Sequence, residues 1–305
     1  MKQERFYVLR MMDQCNQQCR ICMVSDQITN TKQPMAYLTI CREIKQAHTQ
    51  GYRMIDFFGG EPTTNPSLVR GALFAKKLGM TCCLATNAQA FASETFTQNF
   101  FKHNPIDKLR TTLHSHNPKI HDMITQIPKS YERTLQGLRN ILTHMNPRDV
   151  IVNIVITRYN IHSLETIVQL LKRLGSPEIK FSGLALEGRI LKNLSLVPGL
   201  DTVKKYLLKA INLCIKLDQT FFIEKLPFCI LKDKHHNRFI FEHSNHFTKL
   251  SACRYCQYKK RCIGLEKNIL MIHNIPAFYK QYIRSHGFIK HEPINKKNHE
   301  HYCLY

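Results

Sequence analysis

The feature that most constrains this chain is an alternation repeated along its first two thirds: a short apolar run, then a helix-length segment with one apolar face. It is clearest at Val150–Thr157, a nearly continuous β-branched run. Leu164, Ile167, Val168, Leu171 and Leu174 follow at i, i+3, i+4 spacing, and Gly175 comes next. A strand without polar alternation is covered on both faces, the stripe is the core-facing side of a helix, and glycine suits the residue just past a helix end. The same rhythm predicts strands near Phe6–Leu9, Met54–Phe58, Thr81–Thr86, Lys108–Leu113 and Glu178–Ser182. Helices are predicted near Met35–Gln50, Pro66–Leu78, Ser93–Phe101 and Tyr131–Met145. Such alternation predicts an α/β fold with a parallel sheet and helices outside. No G-x-G-x-x-G follows the first strand, which disfavours a dinucleotide-binding fold. In parallel sheets the chemistry sits at the C-terminal strand ends.

A cysteine loop lies just beyond the first strand, Cys15-Asn-Gln-Gln-Cys19-Arg-Ile-Cys22. Three thiolates on one short loop can hold three corners of an iron–sulfur cube and leave the fourth iron open to a ligand. The competing reading is zinc, which usually takes four protein ligands in two separated pairs. The next cysteine, Cys41, falls inside a predicted helix. After the second strand comes Gly59-Gly60-Glu61-Pro62-Thr63. Two glycines lack the Cβ atoms that would keep a ligand from the backbone.

Together these motifs resemble the radical S-adenosylmethionine (SAM) enzymes. The Cys-x3-Cys-x2-Cys run, with apolar Ile21 before its last cysteine, is similar to that family's cluster loop, and Gly59–Pro62 is similar to its SAM-amine motif. Weaker matches occur in order: Thr86-Asn87-Ala88 after the third strand, Leu113-His114-Ser115 after the fourth, and Asn153 within the fifth. The similarity covers roughly residues 6–185. The resemblance implies an open, partial (β/α)6 barrel, because six repeats are fewer than the eight of a closed barrel. It also implies a 4Fe–4S cluster on Cys15, Cys19 and Cys22, with SAM chelating the open iron. Gly59, Gly60, Glu61 and Pro62 would orient the SAM amine. Ile21, Asn87, Ser115 and Asn153 are candidate contacts to the rest of the cofactor. One electron, from a reductant such as flavodoxin or ferredoxin, would then split SAM to a 5′-deoxyadenosyl radical. No residue is singled out as a catalytic acid or base, although His114 and His116 flank Ser115. For Asn87, Ser115 and Asn153 a turn or cap role is the alternative.

A second cysteine set lies in the last third: Cys253, Cys256 and Cys262, with Cys229 upstream in Leu226-Pro227-Phe228-Cys229. Four thiolates suffice for a complete second cluster or a structural zinc. The pattern resembles the auxiliary-cluster segments (SPASM or twitch type) of radical SAM enzymes that modify peptides, but only Cys303 remains where a full set needs more. This suggests a division into residues 1–218 (barrel core) and 219–305 (auxiliary segment and basic tail). Cys41, Cys82, Cys83 and Cys214 read as free structural thiols. Cys303, His291, His299 and His301 read as a solvated tail.

The charge is strongly basic: 44 Lys and Arg against 22 Asp and Glu, a formal +22. That favours anionic partners, RNA among them, but no aromatic–basic RNA-binding module is visible. Two enzyme classes therefore stand: a peptide- or protein-modifying radical SAM enzyme, and an RNA-modifying one. A non-catalytic iron–sulfur or zinc protein is the third reading, and the intact Gly59–Pro62 turn argues against it. Only 14 residues precede Cys15, so a leader-binding domain is not expected ahead of it. No apolar run approaches the ~18 residues of a membrane span and no signal peptide is visible. Free cysteines then suggest a reducing compartment, the cytoplasm, and no membrane partner.

Overall fold

The β-branched run at 150–155 forms an interior strand of the sheet. As β5 (Val150–Val155) it pairs in parallel with β4 (Lys108–Thr112) and β6 (Glu178–Ser182). Val150, Val152 and Ile154 enter the main core, while Asn153 and Val155, on the opposite pleat face, line a cavity. The structure, a computed structural model, describes residues 6–25, 33–231, 235–240, 247–249, 253–254, 256 and 258–266. Within it, β1 (Phe6–Met12), β2 (Met54–Gly59), β3 (Thr81–Ala85), β4, β5, β6 and β7 (Phe221–Glu224) form one seven-stranded sheet in chain order. Every neighbouring pair is parallel. Among the described residues β1 and β7 do not pair with each other, so the sheet is the open partial barrel the sequence predicts.

Helices cover its outer face: α1 (Tyr37–Thr49), α2 (Leu68–Lys77), α3 (Glu94–Phe101), α4 (Pro118–Thr125), α5 (Ser130–Leu142), α6 (Leu164–Arg173) and α7 (Leu200–Lys216). The stripe of α6 is buried at Leu164, Ile167, Val168 and Leu171, and Gly175 takes a left-handed φ of 117° just beyond. Helix α4 is not foreseen by apolar spacing. Its signal is local: Pro118 opens the helix and Asn117 caps it, its side chain accepting from Lys119 N at 2.9 Å, a sequence signature of a helix start.

Two expectations need adjustment. The sheet does not stop at six strands, because β7 adds Phe221–Glu224 from the segment assigned to the C-terminal region. Cys82 is a free buried thiol as expected, but Cys83 is disulfide-bonded. Beyond β7 a two-stranded antiparallel pair, β8 (Phe247–Thr248) with β9 (Leu265–Glu266), sits in the cysteine-containing region. Cys303, His291, His299 and His301 lie outside the described residues. Among the described residues no helix is long and apolar enough to cross a membrane.

Candidate active site

The cysteine loop is held from below by helix α4 and from the side by the glycine turn. Gln18 N and Arg20 N donate to Thr125 O and Ile124 O at 3.0 and 2.8 Å, so the C-terminal carbonyls of α4 are satisfied by the loop. Gly60 N donates to Met12 O at 2.7 Å and Glu61 N donates to Gln14 O at 2.8 Å. The two glycines serve this contact. A Cβ on Gly59 would overlap Met12 O, one on Gly60 would overlap Gln14 O, and Gly59 has a φ of 150°. The absence of Cβ atoms therefore lets the turn reach the backbone that carries Cys15.

Glu61 joins that turn to the end of β3. It is almost fully buried, and its carboxylate accepts from Thr63 N (3.1 Å), Thr63 Oγ1 (2.7 Å), Thr86 Oγ1 (2.7 Å) and Asn87 N (2.7 Å). Burial raises its pKa, opposed by those hydrogen bonds. Asn87 continues the chain of contacts, its Nδ2 donating to Asn16 Oδ1 at 2.6 Å and its Oδ1 accepting from Gln89 N at 3.0 Å. Pro62 is buried and opens the short 3-10 turn Pro62–Thr64.

Cys15, Cys19, Cys22, Ile21, Gly59, Gly60, Glu61, Asn87 and Asn153 all border one cavity of about 430 Å³ inside the strand ends. Ser115 does not. It is fully buried, its hydroxyl accepts from Asn117 N at 3.0 Å, and the residue facing the cavity from the end of β4 is His114. Burial and the neighbouring His121 lower the pKa of His114 well below the ordinary range, so its imidazole is neutral at physiological pH. Asn153 Oδ1 is buried without a hydrogen-bond partner, an open acceptor on the cavity wall.

The floor of the cavity holds groups that strand-level pattern reading passes over. Asp56 on β2 and Arg110 on β4 form an ion pair at 2.7 Å, and Asp56 Oδ1 has no hydrogen-bond partner. Lys180 on β6 pairs with Glu224 on β7 at 3.1 Å, each side chain only 2% exposed, and Ser182 Oγ donates to Glu224 at 3.1 Å. Burial pushes Lys180 down to about 8. Burial alone would raise Glu224, but Lys180, Lys225 and Arg110 together, with the hydrogen bond from Lys180, outweigh that and hold it at about 2. The available signal was a charged residue interrupting each apolar run, on the pleat face opposite the core.

Cys15, Cys19 and Cys22 all border the cavity, a donor set that would suit a cube, whose irons each take one thiolate. Burial raises Cys15 to about 12 and Cys19 further, each also raised by a neighbouring loop thiol. Gln17 N donates to Cys15 Sγ at 3.4 Å, an amide contact of the kind that stabilises sulfur charge. The second set also gathers. Cys229 is raised by burial and then by Cys262, Cys256 and Cys253 together. Phe228 N and Gly264 N both donate to Cys262 Sγ at 3.4 Å.

An open parallel barrel with a three-thiol loop at the C-terminal end of its first strand defines a class of cluster-dependent enzymes. The Radical SAM superfamily profile matches residues 9–171, more than half of the chain. The chain belongs to that superfamily, whose members cleave SAM. A curated relative, AdoMet-dependent heme synthase of Methanosarcina barkeri (strain Fusaro / DSM 804), is 24% identical over 133 residues, covering 44% of this chain and 37% of that protein. Among solved structures, Streptococcus suis SuiB bound to precursor peptide SuiA superposes with a TM-score of 0.59 at 13% identity, covering 73% of this chain and 49% of that one. Native anSMEcpe with bound AdoMet and Cp18Cys peptide gives 0.57 at 12% identity, covering 72% and 62%. The chain spans less than two thirds of each of these proteins, and at such identities the two structures share the fold alone.

Proposed function

We propose that this protein is a SAM-cleaving enzyme that modifies a peptide or protein, with Cys15, Cys19 and Cys22 as ligands of a 4Fe–4S cluster. The observation that carries this reading is that the three thiols of one loop and the backbone of Gly59–Glu61 border the same cavity. When bound there, the reduced cluster supplies the electron that splits SAM and begins radical chemistry. The chain's own residues orient and enclose. Gly59, Gly60 and Glu61 fix the cysteine loop while presenting backbone groups to the cofactor's amine. Ile21 lines the same cavity and would contact it through its apolar side chain, and the unpartnered Asn153 Oδ1 would serve as an acceptor for its hydroxyl or amine. His114 takes the contact that Ser115 was expected to make. A flavodoxin or ferredoxin is the reductant this chemistry calls for.

The peptide reading is supported by the second cysteine set. Four thiols drawn together at Cys229, Cys253, Cys256 and Cys262 supply every protein ligand of a closed auxiliary 4Fe–4S site, and two proteins of similar fold hold peptides. The test is iron, acid-labile sulfide and zinc per chain after anaerobic reconstitution, in wild type and in Cys253→Ala/Cys256→Ala. Two 4Fe–4S sites give about eight irons falling to about four. About four irons in both proteins, with zinc lost from the variant, would make the second site structural and favour an RNA substrate for the basic chain.

A further inference from the structure

The cysteine loop is gripped from a direction the sequence motifs do not announce. After β6 the chain turns through Gly188–Lys192, a short 3-10 segment, and lies on the loop's outer face. Arg189 N donates to Cys22 O at 3.0 Å. The Arg189 guanidinium, through Nη1, donates to Cys19 O at 3.3 Å, and Asn193 Nδ2 reaches Arg20 O at 3.5 Å. Gly188 makes the approach possible. It has a left-handed φ of 64°, and a Cβ there would crowd Cys22 O at 2.6 Å, Met23 O at 2.8 Å and Ser25 Oγ at 2.8 Å. Two of the three cluster-loop cysteines are thus fixed through their carbonyls by one segment about 170 residues away.

A cation held here does more than position. Arginine stays protonated across the accessible pH range, and this one stands within Coulombic reach of the Cys19 sulfur. Reducing a cluster adds one negative charge. A fixed positive charge close by, in a half-buried setting where water screens poorly, favours the more negative state and raises the reduction potential. We infer that Arg189, seated by Gly188 on the cysteine loop, is a positioning residue that raises the reduction potential of the cluster carried by Cys15, Cys19 and Cys22. The inference rests on the reading of that loop as a cluster site. Its consequence is that the β6–α7 loop and the cluster are coupled: whatever moves Gly188–Lys192 shifts how easily the cluster is reduced.

The experiment is electron paramagnetic resonance during a redox titration of the reconstituted protein lacking the second site (Cys253→Ala/Cys256→Ala), so that one cluster is read. Arg189→Gln is compared with Arg189→Lys and with Lys209→Gln, which removes an exposed charge on α7. The expected result is a midpoint shifted to more negative potential in Arg189→Gln at unchanged iron content, largely restored in Arg189→Lys, and unmoved in Lys209→Gln. An Arg189→Gln midpoint equal to the parent's at equal iron overturns the inference and leaves the cluster reading intact. A parent protein that binds no reducible cluster overturns both. Should Arg189→Gln fail to take up iron, Arg189→Lys decides. A loaded lysine variant near the parent's midpoint sustains the inference; an unloaded one, or one displaced from that midpoint, overturns it.

Discussion

Substituting Gly60 separates two accounts of the glycine turn. If the missing Cβ serves ligand approach, Gly60→Ala folds normally and loses only SAM affinity. The structure predicts otherwise, because the new methyl would overlap Gln14 O. Relief requires the cysteine loop to move away, which weakens Gly60 N to Met12 O (2.7 Å) and Glu61 N to Gln14 O (2.8 Å). Each backbone bond is worth about 0.5–1.5 kcal/mol, and a forced methyl in a packed site costs about 1–3 kcal/mol. The loss is therefore about 2–6 kcal/mol. At roughly 2–4 °C per kcal/mol for a chain of this size, Tm falls by about 4–24 °C. Because Gln14 adjoins Cys15, iron retention falls with it. The assay is thermal unfolding of the metal-free protein, then iron per chain after reconstitution. A Gly60→Ala protein with Tm within about 1 °C of wild type and full iron would refute the clamp.

Other consequences are equally direct. Glu224→Gln leaves Lys180 buried beside a neutral amide and should cost about 3–5 kcal/mol in denaturant unfolding, while Lys180→Met/Glu224→Gln should recover most of that loss; equal losses would show that the pair is not coupled. Glu224 is held at about 2, below its ordinary 4.5, so its stabilisation is complete above about pH 4.5 and disappears as pH falls toward 2. Wild type should therefore lose more stability than Glu224→Gln across that window, and parallel acid titrations would contradict the assignment. Asn160 Nδ2 donates to His114 O and Val155 O, each at 2.8 Å, and its Oδ1 accepts from Thr157 N at 2.8 Å. Asn160→Ala should lose about 2–4 kcal/mol by orphaning these buried groups, read by urea midpoint, and a loss below about 1 kcal/mol would show that another partner replaces it. Gly137→Ala drives a methyl into Ala88 O and should lower Tm by several degrees; an unchanged Tm would mean that α5 can shift freely.

Much of this was legible because strand and helix periods are written directly in side-chain spacing. The β5 run and the α6 stripe needed no tertiary information, and neither did the cysteine spacing. What stayed hidden depends on where side chains point once the barrel curves. His114 and Ser115 are adjacent in sequence, yet only the fold decides that the histidine faces the cavity while the serine closes a turn with Asn117. The glycines were visible, but their neighbours were not: the atoms they make room for belong to Met12 and Gln14. Asp56, Arg110, Lys180 and Glu224 read as interruptions of apolar strands, and they make sense only as partners across the interior. The grip of Gly188 and Arg189 on the cysteine loop joins segments too distant for any local pattern to reveal.

The most direct test of the central claim is release of 5′-deoxyadenosine from SAM by the anaerobically reconstituted, reduced protein, compared with Cys19→Ala reconstituted in parallel. The account predicts nucleoside release by wild type and none above background by the variant, whose second cysteine set is left intact. Wild type that holds a reducible cluster on Cys15, Cys19 and Cys22 yet releases no 5′-deoxyadenosine would contradict it.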